Sequence, residues 1–132
     1  MTMTTEFQAL GLSVILGLAQ LVLAVCLAIR ARGLGWAFSP RDVSVEPLKG
    51  LAGRVDRAFY NFLETFPLFA ALVLAANAMG VHGPLTVWGA GLYFWARVVY
   101  LPVYMSGIHV LRTLTWGVSV VGIVLFLVAL FS

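Results

Sequence analysis

Long apolar runs and short polar breaks alternate along the chain. The runs cover approximately Phe7–Ile29, Ala58–Met79, Leu85–Met105 and Leu114–Phe131. Each is near the roughly 20 residues that an α-helix needs to cross a bilayer. None shows the short alternating segments of an outer-membrane barrel strand. The pattern predicts an all-α membrane protein. Residues 1–132 form one domain, and its four transmembrane helices pack as an antiparallel bundle. The first break is long and carries Gly33, Gly35, Pro40, Pro47, Gly50 and Gly53. It reads as an irregular loop with room for a short helical turn. The other two breaks are short, so the second, third and fourth helices are antiparallel neighbours.

Composition agrees with this reading. Of the 132 residues, 62% are hydrophobic and 10% charged, too apolar for a water-soluble domain of this size. The first run is too long for a signal peptide and lacks the basic segment that would precede one. Cys26 is the only cysteine, which excludes an intramolecular disulfide. Among apolar neighbours it reads as inert packing.

The net charge of +3 matters less than its placement. Arg30, Arg32, Arg41, Lys49, Arg54 and Arg57 lie in the first break, and Arg112 lies beside His109 in the third. The second break has no Lys or Arg. By the positive-inside rule the first and third connections face the cytoplasm, and both termini face the other side. This places the protein as a multi-pass protein, with a bacterial inner membrane as the expected location. Asp42, Glu46 and Asp56 are interspersed with the basic residues, so topology explains the basic loop and nucleic acid is not an expected partner. There is no metal-binding spacing of His, Cys or carboxylates; His82 reads as a loop residue and His109 as a helix-cap or interface residue.

Two of the apolar runs carry polar stripes. Arg57, Asn61 and Glu64 fall within about 60° on one helix face, and Tyr93, Arg97, Tyr100 and Tyr104 do the same on the next helix. Charges at such depth cost several kcal/mol unless paired or wetted, so the stripes face another helix or a water-filled cleft. Residues equidistant from the turn near Gly80 lie at equal depth. Arg57 then matches Tyr104, Asn61 matches Tyr100, and Glu64 matches Arg97. The expectation is a layered polar site with a Glu64–Arg97 ion pair as its floor. Pro67 and Pro102 lie beside it and free the carbonyls of Leu63 and Val98. A set of structural pairs holding a bundle together is the competing account.

The run Arg57-Ala58-Phe59-Tyr60-Asn61-Phe62-Leu63-Glu64-Thr65-Phe66-Pro67 resembles the second-helix signature of the MAPEG family, the membrane-associated proteins in eicosanoid and glutathione metabolism. Ala96-Arg97-Val98-Val99-Tyr100-Leu101-Pro102-Val103-Tyr104 resembles the family's third-helix pattern. Gly107 to Thr113 with Trp116 resembles the start of the fourth helix in bacterial-type members. The resemblance implies a homotrimer of four-helix bundles with sites between neighbouring subunits near the cytoplasmic face. It implies glutathione as thiol co-substrate, contacted by Arg57, Asn61, Glu64, Tyr100 and Tyr104, with Arg97 supporting Glu64. Arg112 matches the family's thiol-activating arginine with a one-residue shift. Thr65 stands where eicosanoid-forming members often have tyrosine. The first-loop arginine is left open among Arg30, Arg32 and Arg41.

Residue chemistry is compatible with that ligand. Arginine forks suit the two carboxylates of glutathione, Glu64 suits its ammonium, and Asn61 suits a peptide unit. Lowering a thiol pKa by about two units requires roughly 2.7 kcal/mol of preferential thiolate stabilisation, within reach of one close arginine in a partly dry site. The expected activity is glutathione transfer to lipophilic electrophiles, or reduction of lipid hydroperoxides, with substrate arriving from the bilayer. The alternatives are a non-catalytic family member that binds lipid or a partner protein, and a small transporter using Glu64 as its coupling carboxylate.

Overall fold

A computed structural model describes residues 3–132. It comprises α1 (Thr5–Arg32), α2 (Leu34–Ala37), α3 (Gly50–Ala78), α4 (Pro84–Ser106) and α5 (His109–Phe131), with no strand among the described residues. Three of these helices, α1, α3 and α5, are long and apolar enough to cross a membrane. α4 is as long as α5 but carries Arg97 and three tyrosines. The protein is therefore an integral membrane protein by the character of three helices, and α4, the remaining expected span, is not among them.

Local signals explain the helix ends. The Thr4 hydroxyl accepts from the Phe7 N–H at 3.2 Å and caps α1, with Glu6 in the first turn and Arg30 and Arg32 in the last, each complementing the helix dipole. α3 ends in a Schellman motif. There the Val81 N–H bonds the Ala76 carbonyl at 2.8 Å and the Gly80 N–H bonds that of Asn77 at 3.2 Å. Gly80 takes the left-handed conformation this motif needs, φ 69°. Pro84 occupies the first turn of α4, where its missing N–H costs nothing.

Two expected boundaries differ. α3 begins at Gly50 rather than near Ala58, so Arg54 and Arg57 stand on the helix and not in the loop. α5 begins at His109 rather than near Leu114, so only Gly107 and Ile108 separate it from α4, and Arg112 lies in its first turn. Apolar content marks where a helix enters lipid; the helical backbone itself continues into the polar end. α3 passes through Pro67 and α4 through Pro102 while remaining helical.

Pairings across the bundle show that successive long helices are antiparallel. Descending α4 residues meet ascending α3 residues at Arg54–Met105, Arg57–Tyr104 and Asn61–Arg97. α4 and α5 make the closest approach. A Cβ on Gly122 would lie 2.6 Å from the Gly89 carbonyl oxygen, and one on Gly89 would lie 2.7 Å from that of Gly122. On α1, Ser13 is buried and Gly17 lies against the Phe62 ring, whereas Ala71 on α3 is exposed. The main core lies away from the polar stripes. It joins Ala9, Phe69, Val73, Ala76, Ala90, Tyr93, Ile123 and Phe126. Phe69 stacks on Tyr93 at 4.0 Å and meets Phe126 edge-on at 5.9 Å. The buried Tyr93 and Thr65 hydroxyls satisfy each other at 3.0 Å. Tyr93 therefore belongs to the core, although it begins the α4 stripe. Cys26 is exposed on the outer face of α1 instead of packed within the chain.

Candidate functional site

At the polar end, α3, α4 and the start of α5 enclose a cavity of about 450 Å³. Its wall contains Arg57, Asn61 and Glu64 from α3, Tyr100 and Tyr104 from α4, and Arg112 from α5. Six of the seven residues singled out from the sequence thus share one cavity. It falls in the roughly 300–1,000 Å³ range of small-molecule sites. Three further wall residues, Tyr60, Thr113 and Trp116, went unassigned in the sequence reading. Helical spacing carried the signal for two of them. Tyr60 shares the face of Arg57 and Glu64, and Trp116 lies one turn beyond Arg112.

Tyr104 organises the wall. Its hydroxyl accepts from Arg57 Nε at 3.2 Å, and the Arg112 guanidinium lies over its ring at 5.1 Å from the centroid. The ring meets that of Tyr100 edge-on at 5.6 Å. The phenol thus holds two arginines at the cavity without neutralising either, and its own O–H remains available as a donor. Arg54 stands one turn before Arg57 and donates to the Met105 carbonyl at 3.1 Å. That bond caps the last turn of α4, and Gly107 reverses the chain at φ 79° into α5. This tight reversal is what brings Arg112 back over Tyr104.

Arg97 is the seventh residue, and its position corrects the expected floor. It is 1% exposed and does not reach the cavity wall. Its Nη1 donates to Asn61 Oδ1 at 2.9 Å, and no Glu64–Arg97 ion pair forms among the described residues. The guanidinium lies 4.0 Å from the Tyr100 ring centroid and 5.8 Å from that of Phe62. Equal backbone depth matched Arg97 to Glu64. The long side chain instead snorkels about one helical turn toward the polar end and finds Asn61. Asn61 is thereby oriented from behind, and Glu64 is left exposed on the cavity wall. Arg97 Nε and Nη2 have no hydrogen-bond partner among the described residues.

The first-loop arginines lie elsewhere. Arg32 and Arg41 both lie over the Trp36 ring, at 4.8 and 4.6 Å from its centroid. Arg41 also lines a separate groove of about 200 Å³ with Asp56, Phe59 and Tyr60. Arg30 is exposed at the end of α1. No group of three or more potential metal ligands occurs among the described residues.

The cavity therefore presents two cations, one carboxylate with no ion pair among the described residues, an amide and three phenols at the polar end of an apolar helical bundle. With that arrangement in place, comparison with known proteins gives the class. The chain matches the MAPEG family over residues 9–132 and belongs to it. That family is generally associated with glutathione. No curated protein and no solved structure matches the chain.

Proposed function

We propose that the protein is a membrane-embedded, glutathione-dependent transferase or peroxidase acting on lipophilic electrophiles or lipid hydroperoxides. The observation that carries this reading is the convergence of Arg57, Asn61, Glu64, Tyr100, Tyr104 and Arg112 on one 450 Å³ cavity. Glutathione has two carboxylates, an ammonium, two amides and a thiol, and the wall offers a complement to each. Arg57, held through Nε, still offers its terminal N–H groups to a carboxylate. Glu64 has no ion-pair partner among the described residues, so the ammonium meets an available carboxylate. Asn61 uses its oxygen on Arg97 and turns its N–H₂ to a peptide carbonyl.

Arg112, with the Tyr100 or Tyr104 hydroxyl, then stabilises the thiolate. In transfer, the thiolate sulfur forms a bond to the electrophilic carbon as the leaving group departs with its electron pair, or as an activated double bond takes up a proton. In hydroperoxide reduction the thiolate attacks the O–O bond, and a second glutathione completes the reduction to alcohol, water and glutathione disulfide. The protein's part is to bind, orient and ionise the thiol next to the bilayer that holds the second substrate. The cavity is incomplete in one chain: Tyr60 is 59% and Trp116 41% exposed on its wall. A homotrimer, with four spans per subunit, a cytoplasm-facing site and both termini on the opposite side, completes the proposal.

The experiment is a comparison of wild type with Arg112→Ala in glutathione binding and in conjugation of a lipophilic electrophile. Retained binding with conjugation reduced about a hundredfold, matching the roughly 2.7 kcal/mol of thiolate stabilisation, supports the assignment. Unchanged conjugation rejects it, and binding without any thiolate or turnover in wild type indicates a non-catalytic member.

A further inference from the structure

A second, smaller cavity of about 60 Å³ adjoins the first at the polar end. Arg54 and Arg57 from α3, Gly107 from the α4–α5 turn, and His109 and Arg112 from α5 line it beside Tyr104. Three arginines and a histidine thus meet around one space, and no Asp or Glu lines it. Among the described residues no carboxylate lies within ion-pair distance of the three arginines. Their protein partners are neutral. Arg54 Nη1 donates to the Met105 carbonyl at 3.1 Å, Arg57 Nε donates to the Tyr104 hydroxyl at 3.2 Å, and Arg112 lies over the Tyr104 ring. Gathering cations without a counter-ion costs free energy that a bound anion would recover. The donors are within reach of a ligand, since Arg54 and Arg112 are half-buried and Arg57 and His109 exposed. α5 also begins here with no side-chain cap, so the positive end of its dipole adds to the same field.

Size and donor geometry say which anion fits. At about 30 Å³ per water the space holds roughly two waters, so it suits one small group and not a chain or a ring. The Arg54 guanidinium lies over Gly107, where a Cβ would be 3.4 Å from its Cζ and Nη2. Its donors come from α3, and those of Arg112 come from α5. A carboxylate offers two oxygens in one plane. A phosphate group offers oxygens in several directions, with about one negative charge as a diester and about 1.5 to 2 as a monoester, and guanidinium forks match pairs of them. The apolar run of α3 opens at Ala58, so Arg54 and Arg57 stand just outside the apolar span, at the level of lipid headgroups.

We propose that this annex binds a phosphate group, with Arg54, Arg57 and Arg112 as its donors. The phosphate belongs either to the headgroup of a phospholipid or to a free small phosphate. Arg57 and Arg112 also wall the larger cavity, and a guanidinium with five N–H donors serves both spaces. Arg54 and His109 belong to the annex alone. The inference does not rest on the glutathione reading.

Two titrations of the purified full chain, both without glutathione, test it. In the first, inorganic phosphate is added against sodium chloride of equal ionic strength and the melting temperature is followed. In the second, native mass spectrometry compares retention of phosphatidic acid with that of diacylglycerol carrying the same chains. Stabilisation by inorganic phosphate alone assigns the site to a free phosphate. Preferred retention of phosphatidic acid with no response to inorganic phosphate assigns it to a lipid headgroup. In Arg54→Gln, folded by size-exclusion chromatography, the response weakens about tenfold, the equivalent of one charge-assisted hydrogen bond. Arg30→Gln removes an exposed cation at the end of α1 and leaves it unchanged. Absence of both responses in wild type overturns the proposal, as does a response that survives in folded Arg54→Gln or falls equally in Arg30→Gln. Should Arg54→Gln not fold, Arg54→Lys takes its place, keeping a cation without the forked donors, and an unchanged response there overturns the proposal equally. Because glutathione is left out, failure here leaves the glutathione reading standing, and a protein that binds no glutathione still gives a result.

Discussion

Replacing Asn61 with alanine removes the one hydrogen-bond acceptor that Arg97 has among the described residues. The guanidinium is 1% exposed and its bond to Asn61 Oδ1 is 2.9 Å long. A charge-assisted hydrogen bond contributes about 1.5–3 kcal/mol, and breaking a buried charged pair commonly costs about 3–5 kcal/mol. The ring of Tyr100 at 4.0 Å and the more distant Phe62 remain and offset part of that loss. The expected destabilisation is about 2–3 kcal/mol, near the lower of the two ranges. Asn61→Asp keeps the acceptor and should stay within about 1 kcal/mol of wild type. Glu64→Gln alters an exposed side chain with no ion pair and should change stability by less than about 0.5 kcal/mol. Reversible unfolding in mixed micelles, followed by tryptophan fluorescence or circular dichroism, measures all three. A Glu64→Gln loss equal to that of Asn61→Ala would refute the reasoning, since it would mean that Glu64 is the partner of Arg97 after all.

Other outcomes follow from the same geometry. In Gly122→Ala the new Cβ lies 2.6 Å from one backbone atom and 2.9 Å from another. The α4–α5 contact must open, and the unfolding assay should show a loss of about 1–3 kcal/mol. Gly117→Ala, on the same helix with no atom within 4 Å of its Cβ, is the control and should be neutral or stabilising by up to about 1 kcal/mol. Gly107→Ala forces an L-residue to φ 79° with its Cβ 3.4 Å from the Arg54 guanidinium. It should cost about 1–2 kcal/mol and weaken glutathione binding by displacing the start of α5, whereas Gly107→Asn should recover much of both in a paired melting and binding measurement.

Much of this architecture is legible in the order of residues, and the reasons differ by level. Long apolar runs report lipid contact directly, so the helical class and the approximate spans follow from them. The two stripes are legible because helical period and the cost of burying charge act together. Arg57 and Tyr104 meet as equal depth predicts. Arg97 does not, because depth describes backbones and a four-bond side chain reaches a turn away. Helix starts at Gly50 and His109 were hidden because polar helical turns outside the apolar run have no lipid signal. The Gly89–Gly122 contact and the Glu6–His82–Thr86 cluster join residues far apart in sequence. A single sequence marks each residue but not its partner.

The central claim is that the cavity beneath Arg57 and Arg112 binds glutathione and ionises its thiol. Titrating glutathione into the purified protein near neutral pH, while recording the ultraviolet absorbance of the thiolate, tests it most directly. The account predicts a saturable thiolate signal, lost in Arg112→Ala, and a binding isotherm weakened in Glu64→Gln. Absence of glutathione binding, or binding with no thiolate signal in the wild-type protein, would contradict it.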